Sequence, residues 1–105
     1  MDYLKGIRAA VTVCDAAGTI RYMNDRSAEV FAKEGGALLV GTSLIDCHPE
    51  PALTKLKYLL EHQATNVYTI EKNGKKKLIY QTPCEGGLME ISIELPEHME
   101  HFVRE

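Results

Sequence analysis

The segment Asp46-Cys47-His48-Pro49-Glu50-Pro51 sets a thiol beside an imidazole, just ahead of a helix-forming run. A neighbouring imidazole and a following helix N-terminus both lower a thiol pKa, so Cys47 is a candidate redox or electrophile sensor. Residues adjacent in sequence often point apart, however, and the same segment reads as a loop in which Asp46 and Pro49 set the start of the helix. As an enzyme nucleophile Cys47 lacks an identifiable base and a third group to orient it. No catalytic residue is assigned, and no enzymatic activity is expected. His98 and His101, three apart, can share a helix face, but Cys14, Cys47 and Cys84 have no Cys-x-x-Cys spacing, and no metal site is predicted. His62 closes the same helix that His48 precedes, a position that the helix dipole favours without any metal.

These side chains need elements to hold them. Residues 10–15 (AVTVCD) and 19–24 (TIRYMN) are β-rich runs joined by Ala16-Ala17-Gly18, which reads as a hairpin. Asn24 or Asp25 then caps a helix marked by Ala28, Phe31 and Ala32, with Gly35-Gly36 at its end. Over residues 52–62, Leu53, Leu56, Leu59 and Leu60 form an apolar stripe, while Lys55, Lys57 and Glu61 stay in water. Beyond Gln63 the period changes to two. Residues 65–72 and 75–82 flank Asn73-Gly74, the dipeptide that a type I′ hairpin turn favours, and Glu85-Gly86-Gly87 leads into a last strand over 88–95. Helices grouped between two sets of antiparallel strands predict an α+β fold with one sheet face covered.

At 105 residues the chain holds one core and no second one. Its 45% hydrophobic and 26% charged content argues against disorder or a coiled coil. A net charge of -3 offers no basic face for nucleic acid. No apolar run reaches the roughly 18 residues that span a bilayer, and the first residues lack the basic and apolar regions of a secretory leader. Three widely spaced cysteines suit reduced thiols, so a cytoplasmic location is expected. Lys72, Lys75, Lys76 and Lys77 surround the Asn73-Gly74 turn and read as a solvated hairpin tip that discourages strand pairing between molecules.

The order of elements, with Asp15 and Gly18 in the first turn, Ile20, Tyr22 and Asn24 leading into a helix at Ala28, and Gly41 before the second helical region, resembles a PAS domain. The likeness spans residues 9–95, leaving 1–8 as a lead segment and 96–105 as a tail or short helix. Residues 46–51, 68–74 and 78–83 are similar to a bacterial PAS subgroup found alone or beside signalling domains. The resemblance implies a five-stranded antiparallel sheet with helices packed on one face and a pocket between them. It also implies a sensor or interaction domain in bacterial signal transduction, regulating an effector through a small ligand, a protein partner or both.

A PAS pocket holds haem, flavin, an organic acid or nothing. Haem would need an axial histidine, for which His48 and His62 are the residues placed near the long helix. Photoactive flavin would need an Asn-Cys-Arg-Phe-Leu-Gln run, which this chain lacks. If Met89, Ile91 and Ile93 face inward, then Tyr68, Tyr80, Gln81 and Thr82 compete for the polar positions, because neighbours on a strand alternate between faces. The ligand-pocket set is therefore Tyr22, Tyr68, Tyr80, Gln81, Thr82, Met89 and Ile91. In the tail, Met99, Phe102 and Val103 form an apolar strip suited to an effector contact or a homodimer.

Overall fold

The computed structural model describes the backbone of all 105 residues and every side chain except that of Cys47. Strands β1 (Ala10–Cys14) and β2 (Ile20–Met23) form the expected hairpin. Its turn closes on Asp15: one carboxylate oxygen accepts the N–H groups of Ala17 and Thr19, both at 3.0 Å, and the other meets Arg21 Nε at 2.8 Å. The Thr19 N–H, and after it Arg21, hold the Asp15 carboxyl below the usual carboxylate range. A bulge lets Ile20 pair with Cys14 and Met23 with Thr12, so both side chains reach the same face.

Asn24 caps helix α1 (Asp25–Val30) through its side-chain oxygen, which accepts the Ser27 N–H at 3.0 Å. The helix stops short of Gly35-Gly36. It gives way after Phe31 to two 3-10 turns, Ala32–Glu34 and Gly36–Leu39, because Gly35 and Gly36 hold φ values of 127° and 55° that no α-helix contains. Ser43 caps the short helix α2 (Leu44–Cys47). Helix α3 (Ala52–His62) follows the leucine stripe: Leu56 and Leu59 are buried, Leu53 and Leu60 half-buried. It ends at Gln63 in the left-handed region, and the Gln63 amide donates to the carbonyls of Leu60, Gly86 and Gly87 at 3.0, 3.1 and 3.3 Å. One side chain thus ties the end of the helix to the last hairpin turn.

Strands β3 (Asn66–Lys72), β4 (Lys75–Cys84) and β5 (Gly87–Glu94) complete the sheet. Both connecting dipeptides, Asn73-Gly74 and Glu85-Gly86, have positive φ at each residue, as a type I′ turn requires. The strand order is β2-β1-β5-β4-β3, antiparallel throughout, which makes the last strand a central one. Cys14 and Leu88 of the sheet pack with Leu56 and Leu59 of α3, joined by Leu44, Ile45, Leu60 and Ala64, so the core lies between the sheet and its helices.

One expectation is corrected. Leu88 faces the helices, so alternation sends Glu90 and Ser92 inward with it and turns Met89, Ile91 and Ile93 to the opposite face. The last strand carries apolar residues on both faces, and only the leucines of α3 decide which set is covered. Beyond Pro96 the chain forms no helix, and Met99, Phe102 and Val103 are exposed. A helix of that length is marginal unless it packs on a surface. His98 and His101 are therefore not aligned on a helix face. No helix among the described residues is long and apolar enough to cross a membrane.

Candidate functional site

Between the sheet and the helical side lies a cavity of about 390 Å³, in the range of small-molecule sites. Its walls are mostly apolar: Ile20, Met23, Phe31, Leu39, Leu44 and Leu56 contribute from the sheet, the 3-10 turns and the helices. The floor is polar. Strand register places Thr12 opposite Glu90, Glu90 opposite Gln81, and Gln81 opposite Asn66, so one row of polar side chains crosses four strands beneath the cavity.

Hydrogen bonds orient that row. The Gln81 Nε2 donates to Glu90 Oε1 at 2.8 Å, and the Asn66 Nδ2 donates to Gln81 Oε1 at 2.9 Å. The direction is forced by chemistry: an ionised carboxylate only accepts, so Gln81 must turn its amide nitrogen to it and offer its oxygen to Asn66. At the other end the Thr12 and Ser27 hydroxyls share a bond of 2.5 Å. Tyr68 stands beside the row, and burial, with Glu90 adding to it, pushes its phenol pKa up. Burial also pushes up the thiol of Cys14, which makes it a poor nucleophile.

Of the pocket residues expected from sequence, Tyr68 and Gln81 line this cavity. Tyr22, Tyr80, Thr82, Met89 and Ile91 do not. Register puts Tyr22 opposite Val13, Val13 and Thr82 opposite Met89, and Tyr80 opposite Ile91, all on the outer face. The Tyr22 hydroxyl is instead bonded to both oxygens of Asp2, at 2.9 and 2.7 Å, in the lead segment. His48 lines the cavity and His62 does not: the exposed His62 ring stacks on Tyr58 at 4.1 Å, and its Nδ1 lies 3.0 Å from the Tyr58 carbonyl. The side chain of Cys47 lies outside the described residues.

Sequence reasoning missed Glu90, Thr12 and Asn66. A signal was present, since each is a polar residue within an otherwise β-rich run, at positions that alternation can bring to one face. A second depression, of about 800 Å³, runs between Gly6–Ala9, α1 and the end of β5, but it is shallow and open. Of its charged residues, Arg26 is paired with Glu29 and Glu94, and Asp25 with Lys5, while Arg8 forms no ion pair among the described residues.

No family model matches the sequence, and no curated protein matches it. Among solved structures, a domain of an HTR-like protein from Haloarcula marismortui is similar at 15% identity, with a TM-score of 0.57 over 86% of this chain and 100% of that one. The Aer2 receptor from Vibrio cholerae, described as a dual PAS-haem oxygen sensor, is similar at 15% identity and a TM-score of 0.56, over 84% of this chain and 95% of that one. A PAS domain of an HTR-like protein from Haloarcula marismortui follows at 16% identity and a TM-score of 0.50, over 88% of this chain and 84% of that one. With its five antiparallel strands, its helices on one face and the cavity between them, this chain has the fold of PAS domains.

Proposed function

We propose that this chain is a cytoplasmic sensor domain that binds a small organic ligand in the cavity between sheet and helices and passes its occupancy to a partner through the outer face of the same sheet. The observation that carries the reading is the polar row on the floor of an apolar cavity, since polar groups that fix orientation inside apolar walls are the general form of a small-molecule site. The route outward is short. Gln81 and Glu90 touch the cavity, while Tyr80, Met89 and Ile91, their neighbours along β4 and β5, present the outer face. Val67, Tyr80 and Ile93 leave apolar surface exposed there, suited to a second copy, an effector domain or the tail. A ligand shifts such an equilibrium only by binding one state better than the other.

Methyl-labelled protein titrated with fractions of a bacterial small-molecule extract tests this. Shifts at Ile20, Met23, Leu44 and Leu88, followed by shifts at Met89 and Ile91, are expected. A cavity whose methyls respond to no fraction, in a protein that carries no bound mass in native mass spectrometry, would overturn the reading.

A second reading, a haem-binding sensor, rests on His48. Its Nδ1 lies 2.8 Å from the Leu44 carbonyl, which can only accept, so in the neutral ring the proton belongs on Nδ1 and the lone pair on Nε2. That is the tautomer an axial ligand needs, and haem would supply gas or redox chemistry there. A Soret band in freshly purified protein, lost in His48→Ala and kept in His62→Ala, is the expected signature. Colourless protein that gains no such band when mixed with haemin would sink it.

A further inference from the structure

We infer that the cavity selects a small organic cation, an apolar body with one ammonium-type group seated on Glu90. The inference deepens the ligand-sensor reading and rests on it. Glu90 is half-buried on the cavity floor, and one of its oxygens accepts from Gln81. No lysine, arginine or histidine among the described residues forms an ion pair with it. No buried side-chain oxygen is left without a partner, so Oε2, which has no protein donor among the described residues, is reachable from solvent.

The lysine and the histidine of the lining each have a contact of their own. Lys55 is exposed and holds its ammonium 5.5 Å from the Tyr58 ring centroid, a residue that is not part of the lining. His48 is anchored to the Leu44 carbonyl through Nδ1. Among the described residues this carboxylate therefore has one neutral amide donor and no ion-pair partner, which leaves an acceptor open to a cation or another strong donor. Glu34, on the same lining, adds a second negative charge. An organic acid would meet both carboxylates, whereas an ammonium would meet an open acceptor on Glu90 and apolar walls around its body.

The amide row adds selectivity. Asn66 donates to Gln81 and Gln81 to Glu90, which fixes the carboxylate as the acceptor end of a chain that cannot reverse without breaking two hydrogen bonds. A ligand that brings its own donor completes the chain at Oε2, and one that brings only acceptors does not.

Three probes of nearly equal shape test this on the full chain: phenethylamine, 2-phenylethanol and 3-phenylpropanoate, titrated at neutral pH by calorimetry and followed at the methyls of Ile20, Met23 and Leu88. Phenethylamine is expected to bind at least about tenfold more tightly than the alcohol, a difference of about 1.4 kcal/mol, and the carboxylate most weakly. In Glu90→Gln the preference for the amine is expected to vanish, and in Glu94→Gln, on the same strand face but outside the cavity, to persist. An amine that binds no better than the alcohol in the unmodified protein, or a preference that survives Glu90→Gln, or one lost equally in Glu94→Gln, overturns the inference and leaves the cavity as a ligand site. If none of the three probes moves the cavity methyls, the inference falls, and the ligand-sensor reading is decided by the extract titration and native mass spectrometry.

Discussion

Asn24 and Val11 hold each other by a reciprocal pair of hydrogen bonds: the Val11 N–H donates to Asn24 Oδ1 at 2.9 Å, and the Asn24 N–H donates to the Val11 carbonyl at 3.0 Å. The same buried amide caps α1 and donates through Nδ2 to the carbonyls of Leu4 and Ala9, both at 2.8 Å. Lead segment, first strand and first helix therefore meet on one side chain. Asn24→Ala removes the cap and leaves buried partners unsatisfied, and it is expected to cost about 3 kcal/mol in urea unfolding. Asn24→Asp keeps the acceptor but turns a carboxylate oxygen against two carbonyls, so amide exchange should rise across residues 1–9. Two variants as stable as the parent would refute this role.

Gly87 is held to glycine by its neighbour across the sheet. A Cβ there would stand 2.0 Å from the Cys14 carbonyl oxygen, so Gly87→Ala must part β1 from β5, and a loss of about 3 kcal/mol or more is expected. Gly86 differs. Its Cβ would meet nothing within 4 Å, but its φ of 82° is left-handed, so Gly86→Ala should cost about 1 to 2 kcal/mol. Equal losses in thermal or urea melts would show that the close approach is not the deciding cause.

The contact between Tyr22 and Asp2 predicts an alkaline transition in the lead segment. Burial first, and then the Asp2 carboxylate that accepts its proton, push the Tyr22 phenol up to about 12. A raised pKa means that the protonated phenol favours the docked segment, so docking is complete below the ordinary phenol value near 10 and is lost as the pH rises from there through about 12. At the acid end the Tyr22 hydrogen bond lowers the Asp2 pKa, so that contribution is present above the ordinary value of 3.8 and fades as the pH falls through the lowered one. Phenolate absorbance should show one late-titrating tyrosine missing from Tyr22→Phe. An identical titration in the variant would contradict the assignment.

Cys14 is 2% exposed and packed against Leu56, Leu59 and Leu88, and burial raises its thiol pKa. Its alkylation should therefore wait for unfolding, while the half-buried Cys84 reacts in the native state. Peptide mapping after timed alkylation checks the order. Comparable native rates at the two sites would mean that the core around Cys14 opens locally.

What the sequence determined by itself was local. Asn73-Gly74 predicts its turn because positive φ at two successive residues is a property of the dipeptide, and the leucine spacing predicts α3 because 3.6 residues per turn is a property of the backbone. The order of elements and the first-turn residues Asp15 and Gly18 likewise carried the resemblance that the fold bears out. The faces of the sheet were decided only in three dimensions. Leu88 on one side of β5 and Met89, Ile91 and Ile93 on the other give both faces an apolar claim, and alternation fixes only that neighbours differ. Packing of Leu56 and Leu59 onto Leu88 and Cys14 chose the face, and with it placed Glu90, Gln81, Asn66 and Thr12 in one row beneath the cavity. The same dependence left the tail without a helix: Met99, Phe102 and Val103 stay exposed, and an apolar strip of that length orders only against a surface it packs on.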